Sequence, residues 1–339
     1  MTSKTNKQAL AKVYKHQATR ASEFLDMLSP VSGVFSGPGG RPHGKLYRGV
    51  GDAQYTLLPT AYRPNSKLFQ PPSSPRGPGA TNGEQITREL WTLRAFMMAI
   101  DRQGHKIPED SQKLRADLKS LANAISYTSR RIIPEWPPSS LLSVLALAQH
   151  YGAPTRMLDW SLDPYVAAYF AAESAVNGGD LKGDLAVWLC VANLFDVNEI
   201  LLNDAEKINK LAIQYVTVPW AENANAKAQR AVFLAHRQFD IAPDAKFDSK
   251  SYDELLAGSM ANGYPSTLYR LALPKSEASA LLRLLAFQGY DGATMFPGID
   301  GAVKSLYEMY LWPKEIGTDP RTPGHKDIFD KLIKDIDKP

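Results

Sequence analysis

The chain has 339 residues, 44% of them hydrophobic, and 39 basic against 35 acidic side chains leave a net charge of +4. That length and apolar content support one full hydrophobic core, and so balanced a charge gives no bulk argument for a nucleic-acid partner. A single cysteine excludes a disulfide framework or thiolate zinc site, the six histidines are scattered so that no metal site is expected, and the lack of a signal-like start or an 18-residue apolar run makes a soluble cytoplasmic protein the expectation.

Leu10, Val13, Tyr14, Ala21, Phe24, Leu25 and Leu28 recur at helical spacing, which predicts an amphipathic helix over residues 8–28, followed by a linker to about residue 40. The same end carries Lys4, Lys7, Lys12, Lys15 and Arg20 without an acidic residue up to position 20, fitting either a solvated helix face or a phosphate-binding one. A strand is expected to end at Tyr47-Arg48. Residues 65–83, rich in Pro and Gly, are expected to be irregular and exposed, either a lid over a pocket or an ordinary surface insertion. A helical insert over 84–150 follows: helices at 84–103, with Ile86, Leu90, Leu93, Phe96, Met97 and Ile100 on one buried face, at 111–131, and from a Ser139 or Ser140 cap to Tyr151, closed by Gly152. Residues 156–162 read as a partly extended connection, and Asp163-Pro164 opens another helix. Strands are then predicted at 185–191, 214–218, 232–235 and 267–273, a helix at 277–288, a strand-like stretch at 293–296, and a short helix ending near Leu311. Residues 313–339 read as a tail with a short helix. Cys190, inside an apolar strand, reads as a small buried side chain. The order implies an α+β domain, a mixed or antiparallel sheet with a helical insertion.

Two motifs carry the chemistry. Tyr47-Arg48-Gly49 and the line Gln149 to Ser161 (QHYGAPTRMLDWS) together resemble the FRG domain family, with Leu58-Pro59, Arg63, Ala228-Gln229 and Phe233 as further similar pieces. The resemblance places such a domain at about residues 41–312. Arg48 presents a fork that suits a phosphate or carboxylate, or else pairs structurally with Asp159 or Asp52. Arg156 and Asp159 fit either a bridge to each other or a site in which Arg156 holds an anion and Asp159 accepts from a ribose hydroxyl. Ser161 either donates to substrate or caps the next helix. His150 is the nearby group whose titration naturally falls near neutrality, a candidate acid-base, or it bonds a helix-end carbonyl. Tyr47 and Trp160 suit ring stacking or core packing.

The arrangement is also similar, more distantly, to the ADP-ribosyltransferase pattern, which implies a split sheet and NAD as a substrate, with no tightly bound cofactor. In that pattern Arg48 fits the first element and Trp160-Ser161 with the following helix the second. The third, a carboxylate on a later strand, is replaced by Gln229, with Asp300 or Glu308 as substitutes, so His150, Gln229 and Asp300 are the candidate catalytic residues. Tyr47, Arg48, Gly49, Arg156, Asp159, Trp160 and Ser161 are the candidate substrate-binding ones. Two functions stand side by side: an NAD-consuming transferase or glycohydrolase, acting as a toxin or phage-defence effector on a protein or nucleic-acid acceptor, and a non-catalytic module binding a nucleotide or nucleic acid.

Overall fold

Seven strands line up in one mixed sheet in the computed structural model, which describes residues 13–30, 45–70, 75–125, 131–192, 213–259 and 266–312. In chain order the described elements are β1 (Val13–Gln17), α1 (Ala21–Leu28), β2 (Lys45–Val50), α2 (Asn82–Arg102), α3 (Gln112–Ile125), β3 (Ile133–Trp136), α4 (Leu142–His150), β4 (Met157–Ser161), α5 (Pro164–Asn177), β5 (Asp184–Ala192), β6 (Ile213–Val216), α6 (Ala224–Ala228), β7 (Ala231–His236), β8 (Gln238–Ile241), α7 (Tyr252–Ser259), β9 (Ser266–Pro274), α8 (Ala278–Phe287), α9 (Gly292–Met295) and α10 (Ile299–Tyr310). The sheet order is β1-β9-β5-β2-β4-β7-β6, and β3 pairs β8 in a separate two-stranded ribbon. β1 runs parallel to β9; the other described pairings are antiparallel.

The sheet parts in the middle. β2 pairs β5 along all six of its residues, and β4 pairs β7 along all five of its own, but β2 meets β4 only where Tyr47 faces Ser161. Two half-sheets therefore diverge from that point, and the gap between them is where the ends of β2 and β4 become accessible to side-chain chemistry.

Alternation along each strand sends residues to opposite faces. Tyr47, Leu185, Val187 and Leu189 pack with α1, α5 and α8 in one core; Leu46, Leu158, Trp160, Trp188 and Tyr252 form a second core across the sheet. A third core under α2, α3 and α4 is closed by Trp136, Met157 and Phe233. Helix α5 lies directly on β2 because both surfaces are bare: a Cβ at Gly49 would stand 2.0 Å from the Ala167 carbonyl oxygen and 2.7 Å from the Ala171 amide. This close approach, rather than any turn, is what the motif's glycine provides.

Several expectations need correction. Residues 13–17 form an edge strand rather than part of a helix over 8–28, because pairing with β9 satisfies their backbone; residues 1–12 lie outside the described residues. Residues 157–161 are a central strand, not a connection. Residues 293–295 belong to α9 and Phe296 follows its end; the helix start is capped by the Asp291 side chain accepting from the Thr294 amide at 2.9 Å, so a local cap overrides a strand-like pattern. Neither Ser139 nor Ser140 caps α4; they lie in a 3-10 turn that leads into it. Gly152 does end α4 region at a left-handed φ of 82°, and Asp163 does cap α5, accepting from the Tyr165 amide at 2.9 Å.

The described parts of 65–83 are irregular up to Thr81, where α2 takes over, but they are not a free lid. Ser66 and Leu68 are buried, and Arg88 of α2 donates to the carbonyls of Pro75, Gly77 and Pro78 while the Gln85 side chain accepts from the Gly79 amide at 2.8 Å. The expected insert at 84–150 is present as α2, α3 and α4, with β3 added; residues 126–130 and the tail at 313–339 lie outside the described residues.

Candidate functional site

The gap between the half-sheets opens into a cavity of about 240 Å³ whose lining includes Tyr47, Arg48, Gly49, Gln149, His150, Asp159, Ser161, Phe170, Gln229 and Phe296. Arg48 crosses the gap from β2 to β4. Its Nη1 donates to the Asp159 main-chain carbonyl and pairs with Asp159 Oδ1 at 2.8 Å. The described residues supply no partner for its Nε or Nη2. Gln149, at the end of α4, donates to the same Asp159 oxygen at 3.1 Å, and its own carbonyl accepts from the Thr155 hydroxyl at 2.6 Å. Oδ1 of the carboxylate is thus held by two donors.

Asp159 leaves 54% of its side-chain surface exposed, against 14% for Arg48. Burial pushes its carboxyl up, but the charge and hydrogen bond of Arg48, helped by Gln149, outweigh this and hold it below the ordinary carboxylate value. Asp159 is therefore an anion at neutral pH. Arg63 leans on the same group: burial first, then the positive charge of Arg48, lowers its pKa, while Asp159 opposes the change. Two guanidiniums within electrostatic reach of one carboxylate leave a local excess of positive charge, a setting that favours an anionic ligand.

His150 lines the other wall with its ring edge-on to Phe233 and to Tyr151, and no described residue hydrogen-bonds its imidazole. Burial lowers its pKa, partly opposed by Asp159, so the ring is neutral at pH 7 and able to accept a proton. Burial, reinforced by Asp163 and Tyr165, raises the Tyr47 phenol to about 12, so it is present as a donor and not a phenolate.

The remaining predicted residues divide clearly. Ser161 lines the cavity, but its hydroxyl donates to the Gln229 carbonyl at 2.8 Å and accepts from the Asp163 amide at 3.0 Å, fixing the β4 exit and the start of α5. Gln229 borders the cavity at the end of α6, with its amide nitrogen donating to the Met295 carbonyl at 3.1 Å. Trp160 touches the cavity, but its ring belongs to the core on the far face. The aromatic walls are instead Phe170 and Phe296, edge to face with centroids 6.0 Å apart.

Two candidates are misplaced by the expectations. Arg156 is fully buried and outside the lining: its Nε and Nη2 fork onto Glu89 at 2.7 and 3.1 Å, and Nη1 faces the carbonyls of Trp136 and His236 and the Gln238 side chain. Its donors are consumed, so it holds the fold and not an anion. Asp300 lines a different recess, with Glu173, Lys304 and Glu308, because α10 turns away from the gap; Glu308 is likewise occupied, accepting from the Tyr169 hydroxyl and the Gly292 amide. Neither supplies a carboxylate to the Arg48 cavity. Gln149 and Glu89 were given no role from the sequence. Glu89 could have been found, since a carboxylate at the spacing of Ile86, Leu90 and Leu93 requires a buried cation opposite it.

Among the described residues no group of three or more His, Cys, Asp or Glu could hold a metal ion, and no helix is long and apolar enough to cross a membrane. Comparison with protein families matches residues 44–178 to the FRG domain. The match holds β2, the helical insert, β4 and α5, hence every element that presents Arg48, Gln149, His150 and Asp159; the sheet is completed by β1, β5, β6, β7 and β9, outside it. No curated protein and no solved structure gives a significant match.

Proposed function

We propose that this FRG domain binds an NAD-like nucleotide in the gap between its half-sheets and cleaves the nicotinamide–ribose bond, as an ADP-ribosyltransferase or NAD glycohydrolase. The observation that carries the reading is the Arg48–Asp159 pair: a guanidinium whose Nε and Nη2 have no partner among the described residues, beside a carboxylate 54% exposed, both lining one recess. A dinucleotide presents pyrophosphate and ribose hydroxyls, which match that set in charge and in donor and acceptor sense. At about 240 Å³ the cavity lies just below the usual range for organic ligands, about 300–1,000 Å³, so it takes the nicotinamide riboside half while the rest extends past Arg48.

In the proposed reaction the C1′–N bond breaks with its electron pair passing to the pyridinium, which leaves as neutral nicotinamide. C1′ is captured by the oxygen of water, or by a nucleophile of a protein or nucleic-acid acceptor, and the displaced proton passes to neutral His150. Asp159, an anion, accepts from a ribose hydroxyl and opposes the positive charge growing on the sugar. Phe170 and Phe296 form the apolar wall for the departing ring. Consumption of NAD in the cytoplasm suits a toxin or phage-defence effector.

A second reading has its own observation. Gln229 stands where the transferase pattern has a carboxylate, and its amide is tied to Met295, an arrangement that binds without adding charge. In that case the domain is a non-catalytic nucleotide or nucleic-acid module. Nicotinamide release from NAD separates the two. The enzyme reading expects turnover that falls about 10²–10³-fold in Asp159→Asn with the melting temperature kept, the usual scale for losing one electrostatic group at a reacting centre. Binding without any release by the wild type favours the module.

A further inference from the structure

A chain of hydrogen bonds joins the start of β4 to the end of α4, and chemistry fixes its direction. The Met157 amide donates to the Thr155 hydroxyl at 3.0 Å, that hydroxyl donates to Gln149 Oε1 at 2.6 Å, and Gln149 Nε2 donates to Asp159 Oδ1 at 3.1 Å. An ionised carboxylate only accepts, so Gln149 turns Nε2 towards Asp159 and Oε1 away from it. Oε1 also only accepts, so the Thr155 hydroxyl gives its one proton there. Reversing the amide would set Oε1 against the Asp159 anion.

Thr155 is well placed to hold this orientation. It is 3% exposed and lies outside the cavity lining, so it acts on the site only through its neighbours. Its carbonyl accepts from the Ala61 amide at 3.1 Å, and its hydroxyl closes a local turn with the amide two residues on, so main chain and side chain are both tied. Gln149 is different. It borders the cavity at the end of α4 on a long side chain with several rotatable bonds, whose freedom costs about 1.5–2 kcal/mol to remove. Support from a rigid neighbour is what holds such a group in one geometry.

We propose that Thr155 and Gln149 are a positioning pair: Thr155, from outside the cavity, sets the Gln149 amide so that it donates to Asp159 and keeps that carboxylate in one orientation beside Arg48. Its consequence for catalysis rests on the nucleotide-cleaving reading of the site, whereas its effect on Asp159 does not. The charged and titratable groups that act on Asp159 are Arg48 from β2, Arg63 just after the 3-10 turn at Thr60–Tyr62, and His150 from α4. Burial raises the Asp159 pKa, the charge and hydrogen bond of Arg48 lower it, and the Gln149 amide lowers it further.

The test is an NMR titration of the full chain with its aspartate carboxyls labelled with carbon-13, in which the Asp159 signal is the one missing from Asp159→Asn. Gln149→Leu and Thr155→Val are each expected to raise the titration midpoint of Asp159 by about one pH unit, a tenfold gain in proton affinity and the scale of one hydrogen bond to a charge. Gln149→Leu leaves the Thr155–Met157 bond in place, so it reads the same link with the turn intact. Thr155→Ser keeps the hydroxyl and is expected to titrate like the wild type. With Gln149→Leu already present, Thr155→Val is expected to add nothing, because its effect passes through that amide. The acid limb of nicotinamide release is expected to move upward in the same variants; a wild type that releases none sinks the enzyme reading and leaves the carboxyl titration to decide this one. An unmoved midpoint in folded Gln149→Leu or folded Thr155→Val overturns the proposal. So does a rise from Thr155→Val that is as large without the Gln149 amide as with it.

Discussion

Arg156→Ala should unfold this protein readily without touching its ligand site. The guanidinium is fully buried and forks onto Glu89, which also accepts from the Trp136 indole at 2.8 Å and the Gln85 amide at 2.6 Å. Burial opposes the charge on Arg156, but the Glu89 carboxylate outweighs it and raises the pKa, so Arg156 keeps its charge. Removing one member of such a pair leaves an uncompensated buried charge and costs about 3–5 kcal/mol. At roughly 2–4 °C per kcal/mol for a domain of this size, the melting temperature should fall by something on the order of 10 °C. Arg156→Met with Glu89→Leu removes both charges and should recover a large part of the loss, because an apolar pair of similar volume leaves no orphan ion. Thermal denaturation of the two single variants and the double gives the coupling energy. If Arg156→Ala melts like the wild type but loses nucleotide binding, Arg156 touches ligand and this reasoning fails.

Gly49→Ala should destabilise by about 1–3 kcal/mol or more, the cost of overpacking, because backbone and not a flexible side chain stands 2.0 Å from the new Cβ; a melting temperature equal to wild type would show that α5 does not rest on β2 as described. His236 should make the protein acid-labile. Burial, then the charges of Arg156 and Lys250, lowers its pKa to about 3, so between roughly pH 6.5 and 3 the unfolded chain takes up a proton that the folded one refuses, and stability falls with pH by roughly 3–5 kcal/mol over that window. His236→Gln should flatten this slope between pH 7 and 4 in urea unfolding, and an unchanged slope would count against a neutral buried imidazole.

Much of the fold was readable because the longer elements carry clean signals: the apolar stripe of α2, the Asp163-Pro164 start of α5, and the aliphatic run of β5. What escaped was decided by distant partners. Val13–Gln17 has a mixed pattern and becomes a strand because β9 is there to pair with it; Met157–Ser161 lies between two turns and becomes central because β7 lies alongside. The two motifs converge in space, since Arg48, Gln149, His150 and Asp159 line one cavity from positions up to 111 residues apart. Their roles were less legible. Within one line of sequence, Arg156 is spent on Glu89, Ser161 on the backbone, and Asp159 stays exposed to the cavity, a partition that depends on which face of β4 each residue takes and on what lies opposite. Asp300 misled because sequence spacing carries no information on the direction in which α10 leaves α9.

Calorimetric titration of NAD or ADP-ribose into the wild type and Arg48→Ala tests the central claim most directly. Losing a charge-assisted hydrogen bond costs about 1.5–3 kcal/mol, so the Arg48→Ala variant should bind at least about tenfold more weakly while melting close to the wild type. Equal affinity for the two proteins, with both folded, would contradict a nucleotide site at the gap between the half-sheets.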